Sequence, residues 1–126
     1  MNAEAIDVKI PELVALFYSR VRQDPDLGPI FNEQVEDWPE HLSKLSDFWS
    51  SVMLTTGRYK GQPMREHFKL LPRIAPEHFD RWLSLWEQSA YDVMGPELGA
   101  QFFAKASRIA ESLKLGLFYQ PKTRSV

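Results

Sequence analysis

Cysteine is absent from the 126-residue chain, which removes disulfides, zinc thiolates and a thiol nucleophile at one stroke. That absence fits a reducing compartment. Glycine is scarce, at six residues, and neither Asn-Gly nor Asp-Gly, the strongest hairpin signals, occurs. No run alternates with period two, so strands are not expected. No apolar run approaches the ~18–20 residues that a membrane span requires. The opening "MNAEAIDVKI" has neither a basic n-region nor an apolar h-region, so no secretory signal is expected. A G-x-S-x-G elbow and a glycine-rich phosphate loop are both missing, which speaks against a serine hydrolase and against nucleotide binding. Nor is there an excess of one charge: 15 basic residues stand against 17 acidic, for a net charge of −2. With the signs interspersed, a nucleic-acid surface is not expected. The cytoplasm is the expected location, with neither membrane nor nucleic acid as a partner.

What is present is enough apolar material for a packed interior: 44% hydrophobic residues, 13% aromatic. The composition predicts one folded domain over residues 1–126, with a frayed tail from about residue 120. Helical periodicity recurs along the chain. Pro11, in the N1 position that proline favours, is read as the start of a helix to about Arg22, with Leu13, Val14, Phe17, Tyr18 and Val21 facing inward. "DPDLGPIFN" breaks it, and a short turn carries Ile30 and Phe31. Asp37 is a plausible N-cap for a second helix to about Thr55, whose stripe is His41, Leu45, Phe48, Trp49, Val52 and Met53. A glycine-containing loop leads to a short helix from Pro63, closed by Pro72. Its stripe is Met64, His67, Phe68 and Leu71. Pro76 opens a long helix to about Met94, burying Phe79, Trp82, Leu83, Trp86 and Val93. A last helix, from about Pro96 to Phe118, buries Phe102, Phe103, Ala106, Ile109, Ala110 and Leu113. The fold class is all-α.

Two histidines, His41 and His67, lie on otherwise apolar stripes. A lone histidine there is usually a core residue satisfied by a carbonyl or water. A short helix buries little area, however, and an inward imidazole makes more sense on it as a ligand to something bound. Zinc sites want three or four ligands, but no H-E-x-x-H or C-x-x-C occurs. The adjacent pairs Glu40–His41, Glu66–His67 and Glu77–His78 point about 100° apart on a helix and cannot ligate together. The Glu-x-x-His of carboxylate di-iron bundles is absent too. Haem needs only one protein imidazole and otherwise wants apolar walls.

Four segments carry a resemblance: "FYSRVRQDPDLGPIF" (17–31), "WPEHLSKLSDFW" (38–49), "YKGQPMREH" (59–67) and "HFDRWLSLW" (78–86). In order and spacing they resemble the truncated haemoglobins, within them the third group, over about Leu13 to Leu117. The resemblance implies a truncated globin fold, a two-over-two helical sandwich around haem b. It makes His67 the proximal iron ligand, Tyr18 the distal phenol, Trp82 the distal indole and His41 the residue at the distal gate. Leu45 would line the distal side, and Phe31 would pack against the porphyrin. Trp49 is a further aromatic this group carries. Met64, Phe68 and Phe79 join the expected cofactor contacts. The glycine pairs of the first group are missing, as expected for the third, and the short segment before Pro11 fits a reduced first globin helix.

Residue chemistry adds to this. A neutral His67 would give one ring nitrogen to iron and the other N–H to a carbonyl one turn earlier, near Pro63 or Met64. Tyr18 O–H and Trp82 N–H are donors suited to charge on a bound gas. Lys44, Tyr59, Arg65 and Arg73 are the candidate partners for the haem propionates. The expected ligands are dioxygen, nitric oxide and carbon monoxide, bound reversibly. Slow release suits scavenging or redox chemistry better than oxygen transport. The competing expectation is an enzyme that dioxygenates nitric oxide or reduces peroxide with an external reductase. A cofactor-free helical interaction module is the remaining one.

Overall fold

A computed structural model describes residues 2–71 and 73–118. Six helices follow one another: α1 (Ala3–Gln23), α2 (Gly28–Gln34), α3 (Trp38–Leu54), α4 (Pro63–Phe68), α5 (Pro76–Met94) and α6 (Pro96–Phe118). No strand occurs among the described residues. The expected ends of α5 and α6 agree with the structure, and so does the start of α3. There the Asp37 carboxylate accepts from the Glu40 amide at 3.1 Å. Thr55, in the left-handed region at φ 55°, ends that helix.

Three boundaries differ from expectation. Helix α1 runs through Pro11 and begins at Ala3, where Asn2 caps it by accepting from Ala5 N at 2.9 Å. Proline inside a helix costs ~3 kcal/mol. Here Ile6 and Ile10 extend the inward stripe of Leu13, Val14, Phe17 and Val21 by two more turns, and that long-range burial outweighs the local penalty. Ile30 and Phe31 sit on a true helix rather than a turn. Helix α4 is shorter than expected and ends at Phe68, so Leu71 falls in the turn beyond it. Pro72, expected to close that helix, and the expected frayed tail lie outside the described residues.

The helices form the two-over-two sandwich that the resemblance implies. Helix α1 packs on α3, α5 packs on α6, and α1 crosses onto α5 while α3 meets α6 at its edge. The shared core is aromatic. Trp49 of α3 stacks on Trp86 of α5 at 4.3 Å between ring centroids, and Phe17 meets Trp86 edge-on at 4.9 Å. Gly99 lets α6 approach α5 closely: a Cβ there would stand 3.0 Å from the Ala90 carbonyl oxygen.

The corner between α1 and α2 decides where Phe31 points. The Asp24 carboxylate is buried and accepts from the amides of Asp26 (3.0 Å) and Leu27 (2.9 Å) and from Arg81 Nε (2.6 Å). Gly28 then passes so near α1 that a Cβ would lie 2.6 Å from the Arg22 carbonyl oxygen. Burial works to raise the Asp24 pKa, but the Leu27 amide, the Arg81 guanidinium and the Asp26 amide together outweigh it and hold the carboxyl below its usual range. Asp24→Asn is expected to destabilise the protein by about 2 kcal/mol at neutral pH, the size of lost hydrogen bonds to a charged group. Arg81 is half exposed, so solvent screens its share and the amides carry most of the effect. Because the folded-state pKa is depressed, this stabilisation is complete above about pH 4, the ordinary aspartate value. It is lost as pH falls through the folded value. Urea melts of both proteins at pH 7 and pH 3 check it: the difference should shrink at the lower pH.

Candidate functional site

Helices α3 and α4 carry the two stripe histidines and do not close on each other. Among the described residues, α4 packs on α6 and α3 packs on α1 and α6, while α3 and α4 make no mutual contact. The face of α3 beside the site is apolar yet incompletely covered. Leu45, Phe48, Val52 and Met53 are half-buried, and only Trp49 and Ser50 of that helix are fully buried. A strip of half-covered apolar side chains on one wall is what a slot for a flat apolar group requires.

His67 rests on α4. Pro63 starts it, and the Pro63 carbonyl lies 2.7 Å from His67 Nδ1. A carbonyl only accepts, so Nδ1 carries the proton and Nε2 keeps its lone pair for a metal. Burial holds the imidazole below the ordinary histidine range, while the Pro63 bond and the Glu66 carboxylate pull the other way. His67 is therefore neutral near pH 7, the state in which histidine ligates. Its ring lies 6.0 Å from that of Phe79. Phe79 and Met64 share a second apolar cluster with Ala110 and Leu113 of α6.

The residues expected on the distal side form a cluster of aromatic and polar groups from four helices. The Tyr18 ring stands edge-on to Phe31 at 5.7 Å and to His41 at 5.6 Å. Burial raises the Tyr18 pKa well above the ordinary phenol range, and the Trp82 indole at its oxygen opposes that rise. Tyr18 thus stays a neutral O–H donor at any physiological pH, with Trp82 N–H beside it. Trp82 lies parallel to Trp86 at 6.0 Å, which fixes its plane. His41 Nε2 is buried without a hydrogen-bond partner among the described residues. Burial, and Lys44 secondarily, keeps His41 below its usual pKa. An orphaned polar atom at a distal position marks a group waiting for a partner.

The structure spreads the other expected contacts unevenly. Leu45 packs against the main core beside this cluster. Trp49 sits deeper, in the core itself, with 2% of its surface exposed. Phe68 is 49% exposed. Lys44 pairs with Glu40 at 3.5 Å on the outside of α3, Arg73 pairs with Glu33 of α2, and Arg65 is exposed. Tyr59 packs on Phe48 at 5.1 Å, and burial, then Glu66, raises its pKa. His78 accepts from the Ala75 amide at 2.8 Å and so caps α5. Sequence reasoning passed over Trp38, whose ring lies 5.9 Å from Tyr18 and 5.5 Å from His41. Its position one helical turn before His41 was the available signal.

The donor set fits haem. No group of three or more His, Cys, Asp or Glu side chains among the described residues could hold a bare metal ion. Haem asks less of the protein, a single imidazole and apolar walls, and His67 with Phe79 and Met64 would meet that need. No helix among the described residues is long and apolar enough to cross a membrane.

Comparison with known proteins points the same way. The family described as bacterial-like globin matches residues 4–105. The chain is 38% identical over 123 residues to a group 3 truncated hemoglobin of Campylobacter jejuni, covering 94% of this chain and 96% of that protein. It is likewise similar to the crystal structure of the group III truncated hemoglobin from Campylobacter jejuni. The TM-score is 0.83 and the identity 37%, with 94% of this chain and 92% of the other covered.

Proposed function

The chain belongs to the bacterial-like globins, among the group III truncated haemoglobins, and from that premise we propose that it binds dioxygen, nitric oxide and carbon monoxide on haem b held by His67. Haem supplies an iron with one position open to a diatomic gas; everything else is supplied by the chain. The observation that carries the reading is the tautomer at His67. Its Nδ1–H donates to Pro63 O at 2.7 Å, which orients the ring and leaves Nε2 as the metal ligand. Phe79 and Met64 keep that side apolar. Across the haem from His67, Tyr18 O–H would be the donor to the negative charge a bound gas gathers, with the Trp82 indole, which acts at the Tyr18 oxygen, beside it. His41, neutral and unpartnered at Nε2, guards the approach.

Two donors on one side favour holding and reacting over quick release. Redox turnover of the gas, with electrons from a separate reductase, is the second use this arrangement favours.

The test is spectroscopic. Protein expressed with ample haem should show a Soret band that shifts on reduction and again on adding carbon monoxide. Pyridine extraction should identify the haem as type b. A colourless protein that takes up no haem on titration overturns the reading.

A further inference from the structure

Outside the distal cluster, a groove of about 690 Å³ opens to solvent between α1 and the start of α3, its walls including Ala15, Ser19, Asn32 and Leu42. Tyr18 and Trp38 also line it. The Tyr18 ring in turn meets His41 and Phe31, so one phenol touches both the groove and the distal cluster. Trp38 does the same, lying 5.9 Å from Tyr18 and 5.5 Å from His41. Trp38 is itself held from outside: the Arg22 guanidinium lies 4.4 Å above its ring. Arg22 is anchored in turn, its Nε donating to Asn32 Oδ1 at 3.0 Å, while Asn32 Nδ2 donates to the Arg22 carbonyl at 3.2 Å. A half-buried indole at the first turn of a helix is thus held on its outer side by one exposed cation.

We propose that this groove is a second way in for diatomic gas, and that Trp38, latched by Arg22 and Asn32, is its gate. The proposal rests on the gas-binding reading and adds a route that does not require His41 to move. Closed, the indole and its neighbours leave Tyr18 only 5% exposed, which preserves the donor strength of the phenol. Open, it joins the groove to the space beside His41 Nε2. The groove's polar rim excludes nothing as small as carbon monoxide, so the gate sets the rate and not the selectivity.

Carbon monoxide recombination after flash photolysis of the ferrous haem-loaded protein tests this. Arg22→Ala leaves Trp38 in place and changes only exposed side-chain contacts. It should raise the bimolecular rate about two- to fivefold, the bias a cation–π contact of this kind places on a two-position ring. Trp38→Ala should raise it further and lower the fraction that recombines without leaving the protein. The indole N–H resonance of Trp38 gives a readout independent of binding rates. In the diamagnetic carbon monoxide form, Arg22→Ala should shift it while those of Trp49, Trp82 and Trp86 stay put. The gate is overturned if Trp38→Ala leaves the bimolecular rate unchanged, or if only His41→Ala raises it. An unmoved Trp38 resonance in Arg22→Ala overturns the latch. Wild-type protein that takes up haem but no carbon monoxide would instead sink the gas-binding reading, and the gate with it.

Discussion

His67→Gly is expected to leave the protein unable to retain haem, with the Soret band absent from purified material and restored when imidazole is supplied. Removing a group that only hydrogen-bonds to a metal ligand typically costs 10–100-fold in affinity. Losing the only protein ligand should exceed that, so a drop of at least about a hundredfold is anticipated. The imidazole rescue follows from the geometry. The Pro63 carbonyl that positions the ring belongs to the backbone and survives the substitution, so a free imidazole has the same acceptor to orient it. Folding is a separate matter. Glycine within a helix costs ~1 kcal/mol relative to alanine, and none of the residues of α4 is fully buried, so the apolar core stays intact. Haem titration with the helical circular dichroism followed in parallel separates the two effects. His41→Ala is the control: it removes the other stripe histidine and should keep the Soret band. Retained affinity in His67→Gly, with loss in His41→Ala, would reverse the assignment of the two sides.

The stripe in "PMREHF" was legible because His67 lies three residues after Met64, and that spacing holds however short the helix is. The length of α4 was not legible. Leu71 continues the period in the sequence, but the chain leaves the helix at Lys69, where backbone bonds change to the tighter i→i+3 pattern: Leu70 N to His67 O at 2.9 Å. Pro11 misled for the opposite reason. Local chemistry favours starting a helix at proline, and only the burial of Ile6 and Ile10 against distant helices shows that the helix begins earlier. Asp37, by contrast, caps through a contact within its own turn, so its reading needed nothing remote.

The distal cluster shows where local reading stops. Tyr18, Phe31, His41 and Trp82 lie on four helices, and no spacing along the chain implies that they meet. The family resemblance brought them together on paper, and the helix packing brings the rings of Tyr18, Phe31 and His41 together in space. Trp38 opens the second of the resembling segments and lies one turn before His41, but no spacing implies its contacts with Arg22 and Tyr18 of α1. Charged side chains were the least legible. Arg73 finds its carboxylate partner, Glu33, on α2, which sequence alone does not predict, whereas Glu40 and Lys44 pair at the i,i+4 spacing a helix supplies. Exposed pairs of this kind contribute little to stability.

Tyr18→Phe and Trp82→Phe are each expected to speed dioxygen dissociation tenfold or more. A donor facing partial negative charge in a dry pocket contributes ~1–3 kcal/mol, and 1.4 kcal/mol is a factor of about ten. The two effects should not add. The Trp82 indole acts on the Tyr18 oxygen, as its opposing influence on the phenol pKa shows, so removing either donor also changes the other's setting. A double variant falling short of the product of the single effects is therefore anticipated. Burial holds the Tyr18 pKa far above neutrality, so the wild-type rate should stay flat from pH 6 to pH 9. A phenol with an ordinary pKa of about 10 would begin to lose its proton near the top of that range. Carbon monoxide, which gathers much less charge, serves as the internal control and should dissociate nearly alike in all four proteins. Stopped-flow displacement of dioxygen by excess carbon monoxide reads the rates directly. Unchanged dioxygen release in both single variants would mean that neither group faces the bound gas, and the distal side would then have to be rebuilt around His41, whose buried Nε2 is the remaining polar atom without a partner.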